Sequence, residues 1–194
     1  MAHIHSICVY CGSRSGRNNH FKEIAQNFGK ILARERIRLV YGGGNVGLMG
    51  VIANVVMKGG GKVTGIIPQH LDKEEVGLKD ASEFHIVDNM HERKRMMFDH
   101  SDAFVALPGS IGTLDETIEV ITWKQLQLHN KPIIIVNVDN YWQPFLALID
   151  KFIMEEFTTP ETRDLFYVVD TVEDVVPLLK SLPEIDQETK NTLI

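Results

Sequence analysis

Residues that could bind an anion and act as a base occur together in segment 107–116, which reads Leu-Pro-Gly-Ser-Ile-Gly-Thr-Leu-Asp-Glu. The apolar run before Pro108 has the length of a buried parallel strand, and a proline cannot continue a strand ladder. The glycines allow a sharp turn, and Thr113 is predicted to cap the helix that follows. The first amides of that helix would attract a phosphate. Glu116, one turn inside, would place a carboxylate beside it.

A second glycine cluster follows the second predicted strand, in segment 41–50. Gly42, Gly44 and Gly47 fit the dinucleotide pattern G-x-G-x-x-G. No acidic residue after the following strand is placed to bind a ribose, so the pattern is weak evidence for a nicotinamide cofactor. Contact with a phosphate or a sugar, and tight packing between strand and helix, both remain open.

Length and composition indicate one globular domain. The chain has 194 residues, of which 44% are hydrophobic and 24% charged, without a composition shift that would mark a second domain. We predict a domain over residues 1–181 and a polar tail over 182–194 that frays. Apolar runs are too short to cross a membrane and the first residues do not resemble a signal peptide, so a cytoplasmic protein is expected.

The charge balance argues against a nucleic-acid surface. The formal net charge is −6, whereas nucleic-acid binding needs a basic face. Positive charge is concentrated locally in His91-Glu92-Arg93-Lys94-Arg95, which is either a solvated helix face or one wall of a pocket for a small anion.

Neither the cysteines nor the histidines form a recognised metal motif. Cys8 is predicted in the first strand and Cys11 in the turn after it, and the pair lacks the further ligands that zinc requires. The histidines are scattered, among them His85, His91, His100 and His129. We predict no metal and no cofactor.

Strand-like and helix-like segments alternate along the chain, which is typical of a parallel sheet covered by helices. The predicted fold class is α/β, a single-domain doubly wound (Rossmann-like), mostly parallel sheet with helices on both faces. Strands are predicted at 6–10, 38–41, 62–67, 83–87, 102–107, 133–137 and 166–169. Helices are predicted at 21–35, 48–58, 90–100, 113–128, 142–155 and 171–179, and a polar stretch at 72–80.

Ligands of such sheets bind at the carboxyl ends of the strands. The loops after five predicted strands should therefore bring polar side chains to one crevice. These are Ser13, Arg14, Asn45, Glu74 or Glu75, Arg93, Lys94, Thr113 and Glu116.

Two motifs together resemble a known family. Segment 90–94, Met-His-Glu-Arg-Lys, followed by segment 108–116 is similar to the paired signature of the Lonely guy (LOG) family, and segments 9–13, 41–44 and 120–123 extend the similarity. That family, long mislabelled lysine decarboxylases, comprises phosphoribohydrolases that release a cytokinin base from its riboside 5'-monophosphate. The family pattern is P-G-G-x-G-T-x-x-E, and Ser110 replaces its second glycine.

The resemblance implies roles for particular residues. Glu116 would stabilise an oxocarbenium-like sugar and orient or deprotonate the attacking water, and Arg93 would hold the phosphate or the base. It also implies a homodimer with sites near the interface. The residues that match substrate-contacting positions are Glu75, Lys94, Gly109, Ser110, Ile111, Gly112, Thr113, Leu114, Asp115 and Thr122.

Three other functions compete with this one. A pyridoxal phosphate decarboxylase would need a Schiff-base lysine, for which Lys94 is the nearest candidate. A serine hydrolase would use Ser110, although Pro108 stands where the nucleophile elbow needs glycine. A non-catalytic nucleotide-binding protein would keep the anion site without turnover, because Ser110 replaces a motif glycine.

Overall fold

One sheet organises the computed structural model, which describes residues 4–75 and 81–183 and omits the side chains of residues 73–75. Its strands are β1 Ser6–Tyr10, β2 Arg38–Tyr41, β3 Val63–Pro68, β4 Glu83–Val87, β5 Ala103–Ala106, β6 Ile133–Val136 and β7 Tyr167–Val169. The strand order is β4-β3-β2-β1-β5-β6-β7, and every pairing is parallel. The predicted parallel α/β sheet is confirmed.

Helices connect the strands and cover the sheet. They are α1 Asn19–Glu35, α2 Gly47–Lys58, α3 Gln69–Glu75, α4 Met90–Asp99, α5 Ile111–Gln125, α6 Gln143–Met154 and α7 Val175–Ser181. Short 3-10 segments lie at Val138–Asn140, Pro160–Leu165 and Val172–Asp174. None of these helices is long and apolar enough to span a bilayer.

The core has two layers, one on each face of the sheet. Ile7 and Val9 of β1 pack in the layer that includes α1, α2 and α7. Cys8 and Tyr10 point the other way, into the layer formed with α4, α5 and α6. Because successive strand residues face opposite layers, the central strands are apolar throughout and read as continuous hydrophobic runs.

The chain reverses direction across the sheet at β1. It builds β1 to β4 outward on one side and then returns to place β5 on the other side of β1. In a parallel sheet all carboxyl ends lie on one edge, and a crevice opens where the strand order reverses. The loops after β1, β2 and β5 border this crevice.

Three sequence-based boundaries need correction. Residues 69–75 form α3 and overlap the start of the polar stretch expected at 72–80, since a helix this short shows no apolar periodicity. Helix α5 begins at Ile111, before Thr113, since the Leu114 amide already donates to the Ser110 carbonyl (2.9 Å). It ends at Gln125 rather than at 128, and Gln127 has a positive φ of 61°.

Two further expectations have different outcomes. Cys8 lies in β1 and Cys11 just after it, both buried and unpaired, as predicted. The fraying tail falls largely on residues 184–194, which lie outside the described residues, so the division at 181 stays a prediction.

Candidate active site

Backbone hydrogen bonds join the loops that meet at the crevice. The Gly12 amide, after β1, donates to the carbonyl of Pro108, after β5, at 3.1 Å. The Leu48 amide at the start of α2 donates to the Gly12 carbonyl at 3.0 Å. The structure therefore brings together the loops after β1, β2 and β5, as the parallel sheet predicted.

Arg93 and Glu116 form a buried ion pair at this edge. Asn89 begins α4 by accepting a hydrogen bond from the Glu92 amide (2.9 Å), which places Arg93 on the inner side of the first turn. The Nη2 atom of Arg93 lies 3.7 Å from Oε1 of Glu116, and the side chains are 8% and 11% exposed. Each charge offsets part of the cost of burying the other, so the two side chains depend on one another to stay ionised at this position.

Gly42 leaves room for the guanidinium of Arg93. A Cβ atom at Gly42 would lie 1.8 Å from the Nη2 atom of Arg93, so no other residue fits without displacing it. The Nε atom of Arg93 is closed to solvent and has no hydrogen-bond partner among the described residues. The described residues therefore leave one donor of the guanidinium unsatisfied.

The amino end of α5 faces the same crevice with open amides. Ser110 occupies the N-cap position without a capping side-chain hydrogen bond, which leaves the first amides of the helix available. A Cβ atom at Gly112 would meet nothing within 4 Å. Packing does not require this glycine, so the space beside it is suited to a ligand that approaches the backbone closely.

The Ser110 backbone is unstrained. Its φ and ψ angles are −113° and −154°, an extended conformation that any residue adopts. Replacing the family's glycine by serine at this position therefore costs no backbone energy.

Thr113 does not cap α5. It lies in the first turn with its side chain against Gly109, where a Cβ atom would come within 2.1 Å of the Thr113 Oγ1 atom. Its carbonyl accepts a hydrogen bond from Thr117 (2.7 Å). Because the helix starts two residues earlier than predicted, Thr113 lies inside its first turn. There its side chain packs against Gly109 and holds the bend before the helix.

Tyr141 contacts the turn before α5, although no sequence motif points to it. Its hydroxyl donates to the carbonyl of Gly109, and its ring packs edge-on against Phe21 and Trp142. It comes from the segment after β6, and position in the strand order is the signal that could have found it, since β6 neighbours β5.

Lys94 pairs with two carboxylates of α5. Its Nζ atom lies 2.9 Å from Glu119 and 3.3 Å from Asp115. Burial alone would lower the pKa of Lys94, but the hydrogen bonds and negative charges of Glu119 and Asp115 raise it above its usual value. A lysine held protonated in this way is a poor amine nucleophile, which disfavours the Schiff-base decarboxylase.

The hydrogen bonds and the thiol pKa values support neither Ser110 nor the two cysteines as a nucleophile. No hydrogen bond joins Ser110 to a histidine within the described part of the chain, so the base that a serine hydrolase needs is not in place there. Burial, and next the negative charge of Glu116, raise the pKa of the Cys8 and Cys11 thiols far above the ordinary range. Both thiols therefore stay protonated.

The remaining predicted site residues lie on the loops after β1 and β2, on α3 and on α5. Ser13, Arg14 and Asn45 are exposed on the loops after β1 and β2, and Asn45 accepts a hydrogen bond from Asn54 (2.9 Å). Of the α5 positions, Ile111 is 85% exposed, Leu114 packs against the core and Thr122 is exposed. The side chains of Glu74 and Glu75 lie outside the described part.

Thr122 lies away from its own chain's site. It is six residues beyond Glu116 on α5, which corresponds to ~9 Å along the axis and about a third of a turn around it. Glu116 faces the core, whereas Thr122 lies on the exposed face with Ile118.

Comparison with known proteins identifies the family of the chain. Residues 49–179 match the family model described as "Possible lysine decarboxylase". The chain is 41% identical over 177 residues to the cytokinin riboside 5'-monophosphate phosphoribohydrolase of Rhodococcoides fascians, covering 91% of this chain and 89% of the relative. It is 44% identical over 174 residues to the enzyme LOG3 of Arabidopsis thaliana, covering 90% and 81%.

A solved structure supports the fold alone. The molybdenum cofactor binding protein of the phototrophic bacterium Rippkaea orientalis aligns with a TM-score of 0.70 at 21% identity, over 93% of this chain and 98% of that one. The family model and the two curated relatives together cover both signature motifs, and they show that the chain belongs to the Lonely guy (LOG) family, the cytokinin riboside 5'-monophosphate phosphoribohydrolases once described as possible lysine decarboxylases.

Proposed function

We propose that this protein hydrolyses the N-glycosidic bond of a nucleoside 5'-monophosphate and releases the free base and ribose 5-phosphate. The observation that carries the proposal is the buried ion pair between Arg93 and Glu116 beside the open amino end of α5. The curated relatives that cover most of the chain are named for this reaction. They favour turnover over the alternative of a binding protein without activity.

The phosphate binds at the amino end of α5. The amides of the first helical turn and the positive end of the helix dipole favour an anion there. Gly112 lets the phosphate approach the backbone, and the hydrogen bond from Tyr141 holds the preceding turn in place. This arrangement fixes the ribose by its 5'-phosphate.

Glu116 then acts on the ribose and the water. As the bond from C1' to the base nitrogen breaks, positive charge develops on the sugar, and a nearby carboxylate stabilises it. The water oxygen bonds to C1', and Glu116 takes one water proton. That proton passes to the departing base, which leaves with the electron pair of the broken bond.

Arg93 balances and orients Glu116. Its charge, 3.7 Å from the carboxylate, favours the ionised form that a base requires. We assign the guanidinium to the phosphate or the base, since its planar fork can serve two acceptors.

The test uses chromatography of free base and ribose 5-phosphate after incubation with AMP or N6-isopentenyl-AMP. We expect base release by the wild type and a decrease in kcat of about 10²- to 10⁴-fold for Glu116→Gln, the range typical of a lost general base. Glu155→Gln, which removes an exposed carboxylate that directly follows α6 and pairs with Lys151, is the matched control and should keep wild-type activity.

Thermal unfolding of each variant separates lost chemistry from lost folding, because Glu116→Gln leaves the charge of Arg93 unbalanced. A folded wild type that binds AMP but releases no base from either nucleotide would overturn the proposal in favour of a nucleotide-binding protein. Equal activity of the wild type and Glu116→Gln would remove Glu116 from the mechanism.

The proposal extends to substrate, assembly and location. An adenine nucleotide is proposed as substrate because the relatives act on cytokinin nucleotides by name. A homodimer is supported by the exposed apolar side chains of Ile111 and Ile118 on α5. A cytoplasmic location is supported by the two unpaired cysteines.

A further inference from the structure

A second cluster of ligand-type side chains lies at the sheet edge formed by β4. Glu83 and His85 lie two residues apart on β4 and so share one face of the strand. His100 is the residue that ends α4. One potential ligand atom from each residue lies within 4.8 Å of the others. The two imidazole rings are 5.5 Å apart between centroids. Helix α4 packs against β4 and runs in the opposite direction, which brings His100 at its carboxyl end beside His85 on β4.

Ring hydrogen bonds leave nitrogen lone pairs available in this cluster. The Nδ1 atom of His100 lies 2.9 Å from the carbonyl of Met96, which can only accept, so Nδ1 carries the proton and Nε2 offers a lone pair. The Nε2 atom of His85 is closed to solvent and has no hydrogen-bond partner among residues 4–75 and 81–183. A backbone carbonyl that fixes the tautomer in this way is common behind metal-bound histidines.

We propose that Glu83, His85 and His100 bind a divalent transition metal of the zinc type. Two imidazoles and one carboxylate suit zinc and its neighbours, and would be a poor set for magnesium or calcium. Metal-nitrogen bonds of ~2.1 Å place neighbouring ligand atoms ~3.3 Å apart, so the half-exposed side chains need to close by only ~1.5 Å.

This site is separate from the candidate active site. Arg93 lies near the amino end of α4 and His100 at its carboxyl end, while Glu83 begins β4 at the edge of the sheet opposite the crevice. A metal bound there would tie the carboxyl end of α4 to the edge strand. Its expected effect is therefore on the stability of α4, the helix that carries Arg93.

Arg38 is the charged group that opposes the metal. Its Nη1 atom lies 2.6 Å from Oε1 of Glu83, whose other oxygen accepts a hydrogen bond from Thr64 (3.1 Å). A bound cation would have to share the carboxylate with this guanidinium. Removing the positive charge should strengthen metal binding, which a nonspecific surface site elsewhere would not show.

The test is calorimetric titration of the full-length protein with zinc ion in a non-chelating buffer, followed by thermal unfolding. We expect one zinc per chain with a Kd of about 10 µM or tighter and a Tm increase of roughly 5 °C at saturation. His85→Gln and His100→Gln should each weaken binding at least about 10-fold, and Arg38→Gln should strengthen it.

The control variant is His20→Gln. His20 is an exposed histidine with the carboxylates of Glu23 and Asp139 at 3.6 and 3.8 Å. Its replacement therefore tests for nonspecific zinc binding by a surface histidine beside carboxylates. Wild-type affinity in this variant supports the proposal. Zinc binding that is undetectable in the wild type, or equally strong in His85→Gln and His100→Gln, would overturn it.

Discussion

At the scale of single residues, the site depends on where side chains are missing as much as on where they are charged. Arg93 reaches Glu116 only because Gly42 has no Cβ atom in the way. Gly112 is different, because the space beside it is filled by no described atom within 4 Å. One glycine serves the internal packing of the protein and the other leaves room for a ligand.

Gly112→Ala should therefore separate activity from stability. Alanine favours a helix over glycine by up to about 1 kcal/mol, and the added methyl group meets no protein atom, so we expect an unchanged or slightly higher Tm. The same methyl group would obstruct the phosphate, so we expect kcat/KM to fall at least about 10-fold, mainly through KM. Steady-state kinetics and thermal unfolding of the same preparation measure both effects.

Gly42→Ala provides the contrast to Gly112→Ala, because its added methyl group meets a protein side chain. Its methyl group would displace the guanidinium of Arg93, so both activity and Tm should fall. Full activity in Gly112→Ala would mean that no ligand group occupies the space beside the first turn of α5.

At the scale of elements, the sequence predicts the strands better than the helix ends. Strands β1, β2 and β4 have the limits predicted for them. For β1 and β2 the reason is that strands buried on both faces leave a continuous hydrophobic signal, whereas β4 is a half-exposed edge strand. The start of α5 was misplaced because its position is set by packing of the turn before it, and Thr113, a good capping residue by type, was needed against Gly109. The short α3 gave no periodicity to detect.

Helix α5 is attached to β6 through His129, and this attachment predicts acid sensitivity. The Nε2 atom of His129 donates to the Val120 carbonyl (2.9 Å), and its Nδ1 accepts from the Lys131 amide (3.1 Å). Both ring nitrogens are satisfied only in the neutral form. Burial lowers the pKa of His129 to about 4, with further contributions from the positive charges of Lys124 and Lys131.

Since the native pKa of His129 lies below the unfolded value, only the unfolded chain gains this proton as the pH falls through about 6.5 toward 4. The free energy of unfolding should therefore decrease across that window, by up to about 3 kcal/mol from this residue. Urea unfolding at about pH 7 and about pH 4.5 should show a smaller difference for His129→Gln than for the wild type. His20→Gln, which alters an exposed histidine, should keep the wild-type difference.

At the scale of the whole molecule, the parallel topology predicts which loops meet at the crevice. It does not predict which side chains contact one another there. Five loops could be assigned to one edge because all parallel strands end there, and Arg93 and Glu116 were matched by family motifs. The ion pairs of Lys94, the contact from Tyr141 and the cluster at His100 depend on how helices pack across the sheet. Nothing in local sequence specifies those distances.

The same helix packing predicts an interface on α5. Val120 and Ile121 of this helix are buried against the sheet, whereas Ile118 is 37% exposed and Ile111 is 85% exposed on the opposite side. An apolar stripe of this kind is costly in a monomer, and it is shared with Thr122, which matches a substrate-contacting position of the family but faces away from the site of its own chain.

We therefore expect light scattering to give twice the chain mass of 21.9 kDa for the wild type and the monomer mass for Ile118→Asp. A charge placed in a buried interface core costs several kcal/mol, enough to dissociate a dimer of ordinary affinity. Val168→Asp, on the edge strand β7, changes a residue of similar exposure (41%) and should leave the mass unchanged. A folded Ile118→Asp dimer would place the interface elsewhere. A monomeric Ile118→Asp with full activity would show that each chain completes its own site, whereas a monomer with reduced activity would tie catalysis to the α5 interface.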